Sequence, residues 1–181
     1  MKKRFVILDR DGTIILDKDH LTDPEEVELI ANAAIAIKKL NDLGLGVILV
    51  TNQTVVGNGN ISLKDLKLIH KKILDLLSAA GATLDGIYFC PHKTEDNCSC
   101  RKPKLGLIQQ ALEEYVFDPK TAFVIGDNAK DIELGQKIRA TTILVKTGYG
   151  TKVVEGNLVT PDYIVNDLYS AVSIIEEEIK K

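Results

Sequence analysis

Between Phe5 and Thr13 the chain changes abruptly from the apolar run Phe5-Val6-Ile7-Leu8 to Asp9-Arg10-Asp11-Gly12-Thr13. An uninterrupted apolar run of this kind suits a β-strand buried on both faces, and the glycine just after the acids lets the chain bend. Asp9 and Asp11, spaced two apart, therefore surface where a buried strand ends. Carboxylates held that close repel each other. A hard divalent cation bound through oxygen relieves the repulsion, neutralising one acid and leaving the other free for proton transfer or attack. A strand running into a plain acidic turn fits the same residues, so later segments must decide.

A chain of 181 residues, 45% of them hydrophobic, can build one well-buried core, and residues 1–181 are read as a single domain. The net charge of −3 provides no positive field for nucleic acid or an anionic membrane, so neither is expected as a partner, while a small anionic substrate stays open provided local Lys or Arg meet it. Met1-Lys2-Lys3-Arg4 looks like the start of a signal peptide, but the apolar run after it stops at Asp9. No apolar run approaches the roughly 20 residues of a membrane helix. A cytoplasmic monomer is the expectation.

Strand and helix signals alternate along the chain. After a charged loop from Asp17 to Glu28, apolar positions Ala34, Ile35, Ile37 and Leu40 predict a helix ending at Gly44. Gly46 to Val50 reads as a second buried strand, surfacing in Thr51-Asn52-Gln53-Thr54. Ser62 caps a long amphipathic helix running to Gly81. His70, among the lysines of that helix, is read as a solvated residue without a role, and His20 as a lone loop histidine. Ile87 to Phe89 is a third strand, Leu105 to Tyr115 a helix, and Ala122 to Ile125 a fourth strand ending in Gly126-Asp127-Asn128, with Asp131 beyond it. Thr142–Val145 and Tyr163–Val165 are further strands, and Asp167 caps a closing helix. The alternation predicts an α/β fold with a doubly wound, mostly parallel sheet, which binds ligands at the carboxyl ends of its strands. Neither Gly44-Leu45-Gly46 nor Gly57-Asn58-Gly59 makes a dinucleotide loop: the first precedes its strand, and the second lacks the third glycine.

All three cysteines fall between residues 90 and 100, a poor layout for disulfides. Cys90, His92, Cys98 and Cys100 supply the donors of a closed tetrahedral Zn2+ site, whose work would be to stiffen an irregular loop. Three unrelated thiols beside a histidine are the alternative.

Asp9-Arg10-Asp11-Gly12-Thr13, Thr51-Asn52-Gln53, Arg101-Lys102-Pro103-Lys104 and Gly126-Asp127-Asn128-Ala129-Lys130-Asp131 occur in that order. The series resembles the four motifs of haloacid dehalogenase-type phosphatases. The cysteine and histidine loop narrows the resemblance to the subfamily of heptose-bisphosphate phosphatases and histidinol-phosphatases. The resemblance covers nearly the whole chain, including Thr147-Gly148-Tyr149-Gly150. It implies a haloacid dehalogenase-like Rossmannoid fold without a separate cap domain, and hydrolysis of a sugar phosphomonoester through an aspartyl phosphate. By the resemblance, Asp9 is the nucleophile, and Asp11 protonates the leaving alkoxide and then activates water. Mg2+ is expected on the Asp9 carboxylate, the Asp11 main-chain carbonyl and Asp127, steadied by Asp131. Thr51 and Lys102 would compensate charge on the phosphoryl oxygens. Arg10, Asn52, Gln53 and Arg101 are the expected substrate-binding residues.

Two departures bear on the substrate. Asn58 stands where the family commonly has an arginine, and Asn128 where a basic residue is common; Leu105 also replaces a usual proline. Two cations that would grip a substrate phosphate are missing. The site should be open, with specificity set by the loops after Thr13, Thr51 and Cys90. The resemblance implies the 7-phosphate of a heptose bisphosphate first and histidinol phosphate second; a silent zinc-stabilised phosphate-binding module is the reading of another class.

Overall fold

The computed structural model describes residues 3–181; Met1 and Lys2, the first half of the basic opening segment, lie outside the described residues. The strands are β1 (Phe5–Leu8), β2 (Gly46–Asn52), β3 (Gly86–Cys90), β4 (Phe123–Gly126), β5 (Thr141–Val145) and β6 (Tyr163–Val165). They form one sheet in the order β3-β2-β1-β4-β5-β6, every pair parallel.

The helices are α1 (Ala33–Asp42), α2 (Thr54–Gly57), α3 (Leu63–Ala79), α4 (Gly106–Glu114), α5 (Ala129–Ile138), α6 (Gly150–Glu155) and α7 (Leu168–Glu178). Strand residues alternate between the faces, so Val6 and Leu8 of β1 join the core under α1, α3 and α7, while Phe5 and Ile7 join the core under α4 and α5. All four are buried, which is why the strand reads as a continuous apolar run. The expected doubly wound sheet is therefore the observed one. Ile7→Ala would cost about 2–5 kcal/mol, since the site cannot collapse between two helical layers.

Several boundaries differ from the sequence reading. β2 continues through Thr51 and Asn52, because their main chains pair with Phe89 and Cys90 of an equally longer β3. Asn32 adopts a left-handed conformation, φ 62°, just before α1 begins at Ala33, and the helix ends at Asp42, two residues short of Gly44. The charged loop holds a 3-10 turn at Pro24–Glu26, capped by the Asp23 side chain. The short helices α2 and α6 have too few residues for a periodic signal. Among the described residues, no helix is long and apolar enough to cross a membrane.

The order of the strands positions the site. The chain leaves β1 toward β2 on one side and returns to β4 on the other, so the β1–β4 seam is the point where winding reverses and a crevice opens above the carboxyl ends. Leu8 is in register with Ile125, which places Asp9, just past β1, beside the turn that carries Asp127.

Candidate active site

Burial and charge compete most sharply at the floor of this crevice. Asp9, Asp127 and Asp131 each bring a carboxylate oxygen within 4.8 Å of the others. Burial, helped by Asp131 and Asp11 and opposed by Lys102, pushes Asp9 up to about 7. Burial and the neighbouring Asp9 likewise push Asp127 up to about 8. Asp9 and Asp127 cannot both stay ionised there without more positive charge than Lys102 supplies, and an oxygen-lined cluster of this kind fits a hard divalent cation.

Lys102 enters from the loop after Cys100 and is buried. Its ammonium donates to Asp9 Oδ1 at 2.6 Å and to the Val50 carbonyl at 2.6 Å, and lies 2.7 Å from Asp131 Oδ1. Burial alone would lower its proton affinity, but Asp131 and Asp9 more than offset that and raise it, so the lysine stays charged. Asp131 is also half of a capping box, its Oδ2 accepting from the Asn128 main-chain N–H at 3.1 Å while Asn128 caps the start of α5. Asp131 therefore steadies both a lysine and a helix terminus.

Asp127 Oδ2 accepts from the Tyr149 main-chain N–H at 2.7 Å. Gly12 (φ +76°) and Gly148 (φ +53°) flank the same carboxylate, and a Cβ on either would strike it. Those two positions require glycine for both backbone and space. Among the described residues, Asp9 Oδ2 and Asp127 Oδ1 accept no hydrogen bond, leaving one oxygen of each acid for a cation or a substrate.

Asp11 faces a different set of partners. Its carboxylate receives Arg10 Nε on Oδ2 at 3.0 Å, Arg10 Nη2 on Oδ1 at 2.9 Å and Gln53 Nε2 on Oδ2 at 2.9 Å. Arg10 is only 2% exposed and also donates to Gln53 Oε1 at 2.9 Å. Gln53 in turn donates to Thr51 Oγ1 at 3.0 Å, which leaves the threonine's own proton to donate elsewhere. The side chain of Asn52 clamps the lysine loop, donating to the Lys102 carbonyl at 3.2 Å and accepting from its N–H at 2.9 Å. Arg10, Asn52 and Gln53 thus reach the crevice with their hydrogen bonds already committed within the protein. Arg101 is less committed: it donates to Thr54 Oγ1 at 2.9 Å and lines the open side.

The crevice encloses about 310 Å³; the four aspartates, Arg10, Thr51, Asn52, Gln53, Arg101 and Lys102 line it, together with Asp17, Asp19, His20, Lys130 and Tyr149. His20 is one of its rim residues. His70 requires a correction: it is buried, not solvated, with Nε2 3.5 Å from Arg10 Nη1. Its sequence neighbours Lys71 and Lys72 suggested the solvent face, yet it lies four residues after Leu66 and three before Ile73, on the stripe that α3 buries. That spacing was the available signal.

Beside the crevice, the four donors of the irregular loop converge. Cys90 Sγ lies 3.5 Å from Cys98 Sγ and 3.6 Å from His92 Nδ1, and Cys100 Sγ lies 3.5 Å from Cys98 Sγ and 3.2 Å from His92 Nδ1. Tetrahedral zinc with bonds of 2.0–2.3 Å sets donor separations of about 3.3–3.8 Å; three of the four distances fall in that range and the His92–Cys100 contact is about 0.1 Å shorter, so the donor set suits that ion. Burial raises Cys90 and pushes Cys100 up to about 12, whereas hydrogen bonds from the Arg101 main chain and the other thiols outweigh burial and bring Cys98 down to about 6. The pattern is that of thiols unable to ionise together without a cation. Lys104 ties the loop by donating to the carbonyls of Asn97 at 3.0 Å and Cys98 at 2.8 Å.

Comparison with known proteins finds relatives over most of the chain. A family model described as HAD-hydrolase-like matches residues 99–171. The D-glycero-beta-D-manno-heptose-1,7-bisphosphate 7-phosphatase of Pasteurella multocida is 37% identical over 154 residues, covering 81% of this chain and 83% of that protein. Its namesake from Pseudomonas aeruginosa is 33% identical over 176 residues, covering 97% and 99%. A crystal structure of D,D-heptose 1,7-bisphosphate phosphatase from B. bronchiseptica, complexed with magnesium and phosphate, superposes with a TM-score of 0.90 at 30% identity, covering 97% and 99%.

Proposed function

The chain belongs to the haloacid dehalogenase-like phosphatases, in the family of the heptose-1,7-bisphosphate 7-phosphatases, and from that premise we propose that it hydrolyses the 7-phosphate of a D-glycero-D-manno-heptose bisphosphate with Asp9 as nucleophile. The observation that supports this reading most is the pairing of Asp9 with Lys102 at the floor of an open crevice, with Asp127 at the neighbouring strand end.

An oxygen of Asp9 attacks phosphorus in line with the ester bond, the phosphorus–oxygen bond to the sugar breaks, and an aspartyl phosphate forms. The departing oxygen takes its proton from Asp11. Asp11, now a carboxylate, then removes a proton from water, whose oxygen attacks phosphorus and releases inorganic phosphate, restoring Asp9. Lys102 and the Thr51 hydroxyl compensate charge on the equatorial oxygens. The carboxylates of Asp9 and Asp127 and the main-chain carbonyl of Asp11 would hold magnesium, which when bound contributes positive charge against the phosphoryl group. Zinc on Cys90, His92, Cys98 and Cys100 would be structural, holding the loop from which Arg101 and Lys102 project.

We assign Arg10, Gln53 and Asn52 to the support of Asp11, Thr51 and Lys102, and Arg101 to the substrate's remaining anionic group. Histidinol phosphate remains the second reading for a specific reason: Asn58 and Asn128 remove cations, while Asp17 and Asp19 line the rim and suit a cationic tail. Phosphate release with magnesium from the heptose bisphosphate and from histidinol phosphate separates the two. The heptose ester should be hydrolysed faster, with the 1-phosphate left in place; faster release from histidinol phosphate reverses the order.

A further inference from the structure

On the premise that Asp11 is the proton donor, we propose that His70 is a positioning residue for the reaction: its unprotonated Nε2 anchors the Arg10 guanidinium, and Arg10 holds the Asp11 carboxylate that forms as the leaving oxygen is protonated.

A buried guanidinium needs acceptors from within the protein. Arginine has donors and no acceptor. Nε and Nη2 of Arg10 are occupied by Asp11 and Gln53, and Nη1 faces His70 Nε2 at 3.5 Å. With Arg10 only 2% exposed, solvent does not substitute for a missing acceptor on that side. Histidine can accept there only if Nε2 is bare and the ring proton sits on Nδ1, because a doubly protonated ring would set cation against cation. Burial and the facing Arg10 accordingly push His70 down to about 3, and the ring stays neutral. The imidazole is also held from the side, its ring packing edge-on against Phe89 with centroids 5.4 Å apart and planes at 62°. Leu66, Ile69, Ile73 and Leu77 seat the buried face of α3 that carries it.

When Asp11 passes its proton to the ester oxygen, the electron pair of the breaking phosphorus–oxygen bond goes to that oxygen, and Asp11 is left anionic. The fork of Arg10 and the amide of Gln53 meet the new charge in place. A guanidinium free to turn would meet it less well. Losing the His70 acceptor should therefore slow the proton-dependent step selectively.

The test uses the magnesium- and zinc-loaded enzyme. His70→Met removes the acceptor at similar length, and His70→Gln restores one near the position of Nε2. kcat/KM, which reports the step in which the leaving group departs, is measured on an alkyl phosphate and on p-nitrophenyl phosphate, whose phenolate leaves without needing a proton. His70→Met should lose about 10-fold or more on the alkyl ester and no more than about 2-fold on the aryl ester, with His70→Gln close to native on both. Equal losses on both esters, or none, overturn the proposal. Asp11→Asn is the reference. If it too cuts both esters equally, the assignment of Asp11 as acid has failed; if it discriminates and His70→Met does not, only the role of His70 has failed. Should His70→Met not fold, nitrogen NMR of the native imidazole decides: a proton on Nδ1 with Nε2 bare supports the proposal, and a proton on Nε2 overturns it.

Discussion

Lys102 Nζ lies 2.6 Å from Asp9 Oδ1, and the lysine is buried. The pair joins the end of the first strand to the loop that follows the cysteine cluster, so Asp9 and its counter-charge come from opposite halves of the sequence.

Replacing Lys102 by Met should reduce kcat about 100- to 1,000-fold, the usual loss when a fixed charge against the reacting group is removed. Lys102 lowers the proton affinity of Asp9, so its loss raises that affinity and moves the acidic limb of the kcat/KM–pH profile to higher pH. A limb that stays in place would disprove the coupling.

Asn52→Ala should act on the same lysine from a distance. It leaves the main-chain N–H and carbonyl of Lys102 without their partners, at a cost of about 1–3 kcal/mol each where buried. Urea unfolding gives the stability loss, and phosphatase assays should show a fall in kcat with little change in KM.

These two residues illustrate what could be read in advance. Asp9, Asp127 and the cysteine cluster were legible because each sits where an apolar strand ends or where donor spacing is local. The boxes of Ser62 with Asp65 and Asn128 with Asp131 are local as well. The clamp of Asn52 on Lys102 and the enclosure of Arg10 by Gln53 and His70 join residues far apart in sequence, and nothing nearby announces them. A charged residue after a strand ordinarily reaches solvent; Arg10 is inside because the fold delivers acceptors to it.

Zinc removal should destabilise the loop before the sheet. Chelation, or Cys100→Ser, is expected to lower Tm by about 5 °C or more and to abolish most activity, since Arg101 and Lys102 follow directly on Cys100. Calorimetry with metal analysis checks this; full activity in zinc-free protein would refute it.

His70 predicts a pH dependence of stability. Folding lowers its proton affinity from 6.5 to about 3, with burial first and Arg10 second as causes and Asp11 opposing. Between those values the unfolded chain binds a proton that the native protein does not, so this contribution is complete above 6.5 and shrinks as pH falls. At pH 5 the loss is about 2 kcal/mol at most. His70→Gln should flatten the difference between urea unfolding at pH 7 and pH 5; an unchanged difference would contradict the assignment.

Asp9 is the group proposed to accept phosphorus. The direct measurement is phosphate release by folded Asp9→Asn protein, alongside acid-quench mass spectrometry of the native enzyme during turnover. The variant should lose at least about 10,000-fold, and the native enzyme should carry a phosphoryl adduct on the peptide that contains Asp9. Near-native release by the variant, or an adduct on a peptide lacking Asp9, would contradict that role.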